Sequence, residues 1–207
     1  MRKGWVCCGL LLFLSGCTWP QMSLPNSLAP LTVVEGQAML PDAYQITADT
    51  QPVPRSYQLL LTKLDSTPLA AGAISDDQGD FTINVPQDLL TSRPSLYEIH
   101  LLDQRQNPVL QGLVKLSAQT SQTTAQLNSA STALTLAANA YRLDGKDPSS
   151  WDITSLLDNT QLESAALSYS YQLATWSNET AGATGSPQPP APSNEVVQKV
   201  LGIATSS

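Results

Sequence analysis

Between residues 31 and 117 the chain alternates short runs rich in Val, Ile, Leu and Tyr with stretches of turn-forming residues, and this punctuation limits the fold most. The runs are 32–40, 56–64, 69–75, 81–86, 96–103 and 109–117. Between them stand Asp65-Ser66-Thr67-Pro68, Asp76-Asp77-Gln78-Gly79-Asp80 and Gln104-Arg105-Gln106-Asn107-Pro108. Pro presets φ, Gly tolerates positive φ, and Asp, Asn and Ser side chains bond their own backbone, so each stretch reverses the chain. Six strands joined this tightly pair antiparallel, because parallel neighbours need long crossovers. In the run 96–101, Tyr97, Ile99 and Leu101 share one face while Glu98 and His100 share the other. The expectation is one face in the core and one in water.

Beyond residue 126 the period lengthens. The segment 129–143 carries Ala130, Leu134, Ala137 and Tyr141 at helical spacing, with Gly145 and Pro148 as stops. It can instead be preceded by a strand at 123–127. A second helix over 154–176 has Leu162, Ala166, Tyr169, Leu173 and Trp176 on one stripe. Residues 178–194 are mostly Gly, Ser, Thr, Ala and Pro with the single charge of Glu179, a composition expected to stay disordered. A last segment, 195–204, puts Val196, Val197, Val200, Leu201 and Ala204 on one face. There is no internal repeat.

The amino terminus gives a different kind of information. Arg2 and Lys3 precede the apolar stretch 5–14, the order of an export signal. The stretch is shorter than the roughly 20 residues a membrane-spanning helix needs. The tetrad Leu14-Ser15-Gly16-Cys17 resembles the lipobox of bacterial lipoproteins. The resemblance implies that Leu14, Ser15 and Gly16 are recognised by a signal peptidase. Cys17 would then receive a diacylglyceryl thioether and, after cleavage before it, an acyl group such as palmitate on its new amino group. At roughly 0.8 kcal/mol per buried methylene, two or more chains anchor a protein stably to a membrane. Thr18, standing where an aspartate would retain the protein at the inner membrane, implies the outer membrane if the host is Gram-negative. Cys7 and Cys8 would lie in the discarded segment, so with Cys17 lipidated the mature chain would keep no thiol for a disulfide, a metal or catalysis.

Removal of residues 1–16 leaves 191 of 207 residues; it takes Arg2 and Lys3 but no acid, so the net charge moves from −7 to −9. An acidic chain repels phosphate backbones and anionic headgroups, which argues against nucleic acid as a partner. Residues 17–30 contain Pro20, Pro25 and Pro30 and no charge, the composition of an extended tether. The expected organisation is therefore 1–16 signal peptide, 17–30 lipidated cysteine and tether, 31–128 β-sandwich, 129–177 helical region packed on it, 178–194 disordered linker and 195–207 amphipathic C-terminal segment.

The β region resembles the transthyretin-like, prealbumin-type sandwich of carboxypeptidase regulatory domains and many bacterial surface proteins. The resemblance rests on Val34-Glu35-Gly36-Gln37-Ala38 in the first strand, Tyr57 to Leu61 in the second, and the hairpin Ser75-Asp76-Asp77-Gln78-Gly79-Asp80-Phe81. The chain departs from that pattern in a loop over 49–55 and in Ser75, where threonine is usual. Gly36 with Leu40-Pro41-Asp42-Ala43 also resembles small β-sandwich lipoproteins that act as pilotins for secretion pores.

Chemistry-bearing residues are few. Asp76, Asp77 and Asp80 invite calcium, but the chain runs straight into Phe81-Thr82-Ile83 without the later bidentate glutamate, so a polar hairpin with no metal is expected. His100 is the only histidine, with Glu98 beside it on the strand face and no serine or cysteine motif to complete a nucleophilic site. It reads as a solvent-side strand residue, and no catalytic residue or cofactor is assigned. Tyr169 and Trp176 belong to the apolar stripe and are expected to pack on the sheet, leaving Tyr171 exposed. The stripe of Val196, Val197, Val200 and Leu201 either docks on a partner or folds back on its own domain. The resulting expectation is a non-enzymatic envelope lipoprotein that presents a binding or scaffolding surface to a protein or glycan. A hydrolytic or carbohydrate-active protein and a pilotin-like assembly factor are the competing readings.

Overall fold

The computed structural model describes residues 30–42, 45–180 and 188–206. Eight strands come first: β1 (Leu31–Asp42), β2 (Gln45–Pro52), β3 (Gln58–Lys63), β4 (Pro68–Ile74), β5 (Asp80–Pro86), β6 (Ser95–Leu102), β7 (Pro108–Leu116) and β8 (Gln122–Leu127). Four α-helices follow: α1 (Ser129–Leu143), α2 (Ile153–Leu157), α3 (Thr160–Thr180) and α4 (Asn194–Ser206). Among the described residues no helix is long and apolar enough to cross a membrane.

All six predicted runs are strands, and they pair antiparallel in the order β1-β5-β4-β3-β6-β7. β5 shows why: Phe81, Ile83 and Val85 are buried while Asp80, Thr82 and Asn84 are exposed, a strict period of two. Each large side chain buried this way contributes about 1.5–3 kcal/mol. The architecture is mainly antiparallel β, a single sheet curled into a half-barrel, with helices against it.

Two strands depart from the sequence expectation. β2 pairs with the end of β1 from Met39↔Pro52 to Asp42↔Gln45, taking in residues 49–52 that read as loop. β8 pairs with β1 in parallel, from Val33↔Gln122 to Ala38↔Leu127, so the pairing is not wholly antiparallel. The parallel pair is possible because everything from β2 to β7 serves as its crossover. The curl brings the free edges of β7 and β8 together: a Cβ built on Gly112 would lie 2.8 Å from the Gln126 carbonyl oxygen.

The inner face of the curl holds one apolar cluster, which Tyr169, Leu173 and Trp176 of α3 join. A second cluster forms between Leu113 on the outer face of β7 and the four helices. The helix predicted over 154–176 is divided. The Asp152 carboxylate accepts from Ser155 N at 3.2 Å to cap α2, and Asn159 Oδ1 accepts from Gln161 N at 2.9 Å to restart the chain as α3. α1 opens on a reciprocal cap between Asn128 and Ser131. Its hydroxyls also satisfy the β7 edge, with Gln111 N donating to Thr132 Oγ1 at 2.9 Å and Ser131 Oγ donating to the Gln111 carbonyl at 2.7 Å. Exposed edges invite pairing with other chains, and here α1 closes one.

The predicted linker 178–194 is shorter than expected. α3 runs to Thr180, and Pro189 is buried on the approach to α4. Residues 181–187 lie outside the described residues.

Candidate functional site

β3 and β6 pair so that Thr62 lies opposite Glu98 and Leu60 opposite His100, while β7 sets Gln111 opposite His100. The period of two in all three strands turns Thr62, Glu98, His100 and Gln111 outward, away from Ile99 and Leu101. That face is not wet. Glu98 is 3% exposed, and the His100 side chain is 19% exposed. The solvent-side reading of His100 and Glu98 is therefore corrected: the helical layer, led by α1 against β7, covers this part of the outer face.

Within the cluster His100 Nε2 lies 3.2 Å from Glu98 Oε2 and 3.2 Å from Thr62 Oγ1. Both neighbours meet the same ring nitrogen. A nucleophile–base–acid relay needs the nucleophile at one nitrogen and the orienting carboxylate at the other, and this arrangement has no such division. Glu98 Oε1 and Gln111 Oε1 are buried without a hydrogen-bond partner. A buried acceptor left unmatched costs about 1–3 kcal/mol, more when it is charged.

Glu98 also lines a cleft of about 390 Å³ between the β3–β4 turn and the last turns of α1. Leu64, Asp65, Ser66, Asn139, Arg142 and Leu143 complete its walls. Asp65 Oδ1 accepts from Thr67 N at 2.9 Å, and hydrogen bonds from Thr67 hold its carboxyl below the usual range. The Arg142 guanidinium donates to the Leu64 carbonyl, and Leu143 stands 89% exposed at the rim.

A second cavity, of about 530 Å³, lies between Tyr141, Trp151, Asp152, Ser155 and Thr205. The Tyr141 and Trp151 rings are 5.4 Å apart and tilted by 39°, with Lys146 Nζ 5.1 Å above Tyr141. Trp151 is buried in the helical cluster, so its ring packs rather than forming an open stacking platform. Tyr169 and Trp176 are likewise buried, and Tyr171 is exposed.

The remaining sequence candidates fall as follows. Asp76 Oδ1 accepts from Gln78 N at 2.9 Å and Asp80 N at 3.0 Å, closing a hairpin turn in which Gly79 has φ of +81°. Asp77 pairs with Arg55 at 2.8 Å. Val196, Val197 and Val200 are buried and Leu201 packs against them, so α1 and α3 of the same chain cover the stripe. Leu14, Ser15, Gly16 and Cys17 lie outside the described residues. Sequence reasoning missed Thr62, Gln111, Asn139 and Arg142, which reach the site only through strand register and the docking of α1.

Compared with known protein families, curated proteins and solved structures, the chain matches none.

Proposed function

We propose that this protein is a cell-envelope lipoprotein held to the membrane through Cys17, whose folded part is a non-enzymatic binding or scaffolding module. The observation that carries the reading is the order of positive head, short apolar body and Leu14-Ser15-Gly16-Cys17. Residues 17–30 would span at most about 50 Å when extended, enough to hold the module clear of a headgroup layer. In a Gram-negative host the destination is the outer membrane, and the partner is an envelope protein or glycan. The convergence of Thr62 and Glu98 on one nitrogen of His100 supports binding over hydrolysis.

We also propose that the β region is a variant of the transthyretin-like sandwich. In support, the signature glycine and the signature hairpin aromatic are direct partners, Gly36↔Phe81. A Cβ on Gly36 would meet Phe81 Cζ at 2.6 Å.

Intact mass spectrometry of the processed protein tests the anchor, with a diacylglyceryl adduct on Cys17 expected. Cys17→Ser should move the protein off the membrane and lose its crosslinked envelope partners. A bare thiol in the wild type, or unchanged localisation and partners in the variant, would overturn the reading.

A further inference from the structure

We infer that the folded module rests on the membrane that holds its anchor, touching lipid through the end of the half-barrel at which the tether enters; this deepens the anchored reading and rests on it. Strand directions define that end. β1 starts there at Leu31, so β3, β5 and β7 finish beside it and β4, β6 and β8 begin beside it. α1 starts at the opposite end, after β8, and runs back along β7. Its last turn therefore returns to the tether end, where Arg142 donates to the Leu64 carbonyl of the β3–β4 turn. Gln87 N donates to the Pro30 carbonyl at 3.0 Å and Ala118 N to the Thr91 carbonyl at 2.8 Å, which ties the loops of this end into one rim.

Among the described residues five large apolar side chains are exposed, and three of them, Leu31, Leu89 and Leu143, stand on this rim. Clustered exposed apolar groups mark a contact surface, and charge selects what covers this one. The segments 63–67, 86–95, 117–121 and 142–147 that form the rim hold four basic and four acidic residues, although residues 17–207 carry −9 overall. The turns of the opposite end, 75–80 and 103–107, hold Asp76, Asp77, Asp80 and Asp103 against Arg105 alone. A layer containing anionic headgroups repels that acidic end and accepts the neutral one. Lys63, Arg93 and Lys146 are exposed on the rim, and long basic side chains beside leucines reach lipid phosphates while the leucines enter the interface. Attachment adds the last reason. Residues 17–30 keep the rim within about 50 Å of lipid at all times, so even a weak contact forms as an intramolecular one.

The test uses leucine-methyl spectra of the acylated, processed protein in nanodiscs of phosphatidylethanolamine and phosphatidylglycerol, with and without a gadolinium-chelating lipid. Gadolinium at the bilayer surface should remove the Leu31, Leu89 and Leu143 signals. It should spare Leu59 and Leu40 at the opposite end, Leu40 lying about 30 Å along β1 from Leu31. Leu89→Glu combined with Leu143→Glu, both at exposed positions, should restore the Leu31 signal by setting charge against the headgroups. Equal loss at both ends, as for a module that stands off and tumbles, or loss centred on Leu40, Leu59 or Leu167, would overturn the inference. Retained rim signals would do the same, whether residues 18–29 or a second copy of the chain cover the leucines. So would a Leu31 signal still lost in the folded double variant, or in Leu143→Glu alone should the double variant not fold. Joining Cys17 of the processed protein to a maleimide-bearing lipid gives the same attachment point and the same readout, so a bare native thiol would sink the anchor while leaving this result standing.

Discussion

Replacing Gly36 and Gly202 by alanine adds the same methyl group at two places where the structure demands opposite results. Gly36 lies in β1 between Phe81 of β5 and Ala125 of β8. Its added Cβ would sit 2.0 Å from the Ala125 carbonyl oxygen and 2.6 Å from Phe81 Cζ. A carbon–oxygen contact relaxes to about 3.3 Å, so something must move by more than about 1 Å. Phe81 is buried in the core and has little room. β8 is held at its start by Val33 N donating to the Ser121 carbonyl at 2.9 Å and by Thr32 Oγ1 donating to the Thr120 carbonyl. Overpacking typically costs about 1–3 kcal/mol, and each ladder hydrogen bond broken adds about 1 kcal/mol, so Gly36→Ala should cost about 3 kcal/mol or more. At roughly 2–4 °C per kcal/mol for a domain of this size, Tm should fall by about 6–12 °C. Gly202 is in α4 with nothing within 4 Å of the added carbon, so only its helix propensity changes. Gly202→Ala should stabilise by about 0.5–1 kcal/mol. Thermal and urea unfolding followed by far-ultraviolet circular dichroism measures both. A Gly36→Ala variant within about 1 kcal/mol of the wild type would refute the tight β5-β1-β8 packing, since that packing implies overpacking at the upper end of its usual cost.

Two further outcomes are expected. The Asp76 carboxyl is held below the usual range, chiefly by the Asp80 backbone N–H, so its ionised form stabilises the fold. A lowered folded value means stability that is present above the unfolded value of about 3.9 and is lost as pH falls through the folded one. The stability gap between wild type and Asp76→Asn should therefore be present at pH 7 and close below about pH 4, as read from urea midpoints; a gap independent of pH would contradict the turn geometry. Val200 is fully buried among the helices, and Val200→Asp would place an unpaired charge there, at a cost of several kcal/mol. Hydrogen exchange should show α4 losing protection while β3 and β5 keep theirs, and an α4 that stays protected would contradict its docking on α1 and α3.

What was legible in the sequence was whatever depends on neighbours a few residues apart. The six apolar strands declare themselves because large side chains alternate within each run, as Phe81, Ile83 and Val85 do, and the hairpin at Asp76 because its carboxylate bonds backbone two and four residues on. α1 and α4 follow from apolar stripes at helical spacing. The single helix read over 154–176 broke in two because the caps at Asp152 and Asn159 are local chemistry that a stripe overrides on paper but not in the backbone. β2 stayed hidden, and β8 was legible only as an alternative strand at 123–127 with no hint of its parallel partner, because both are polar runs whose place comes from pairing with β1, an event that the sequence of either run does not encode.

Sequence by itself thus determined the outward position of Glu98 and His100 and the apolar stripe of α4. Only the tertiary structure decided that the outward face is buried, that Thr62 and Glu98 share one nitrogen of His100, that Glu98 lines a cleft beside α1, and that α4 covers its stripe in cis. The physical reason is range. Periodicity fixes which way a side chain points through bonds and torsions close by, whereas what lies over it is set by strand register and helix docking between segments far apart in the chain.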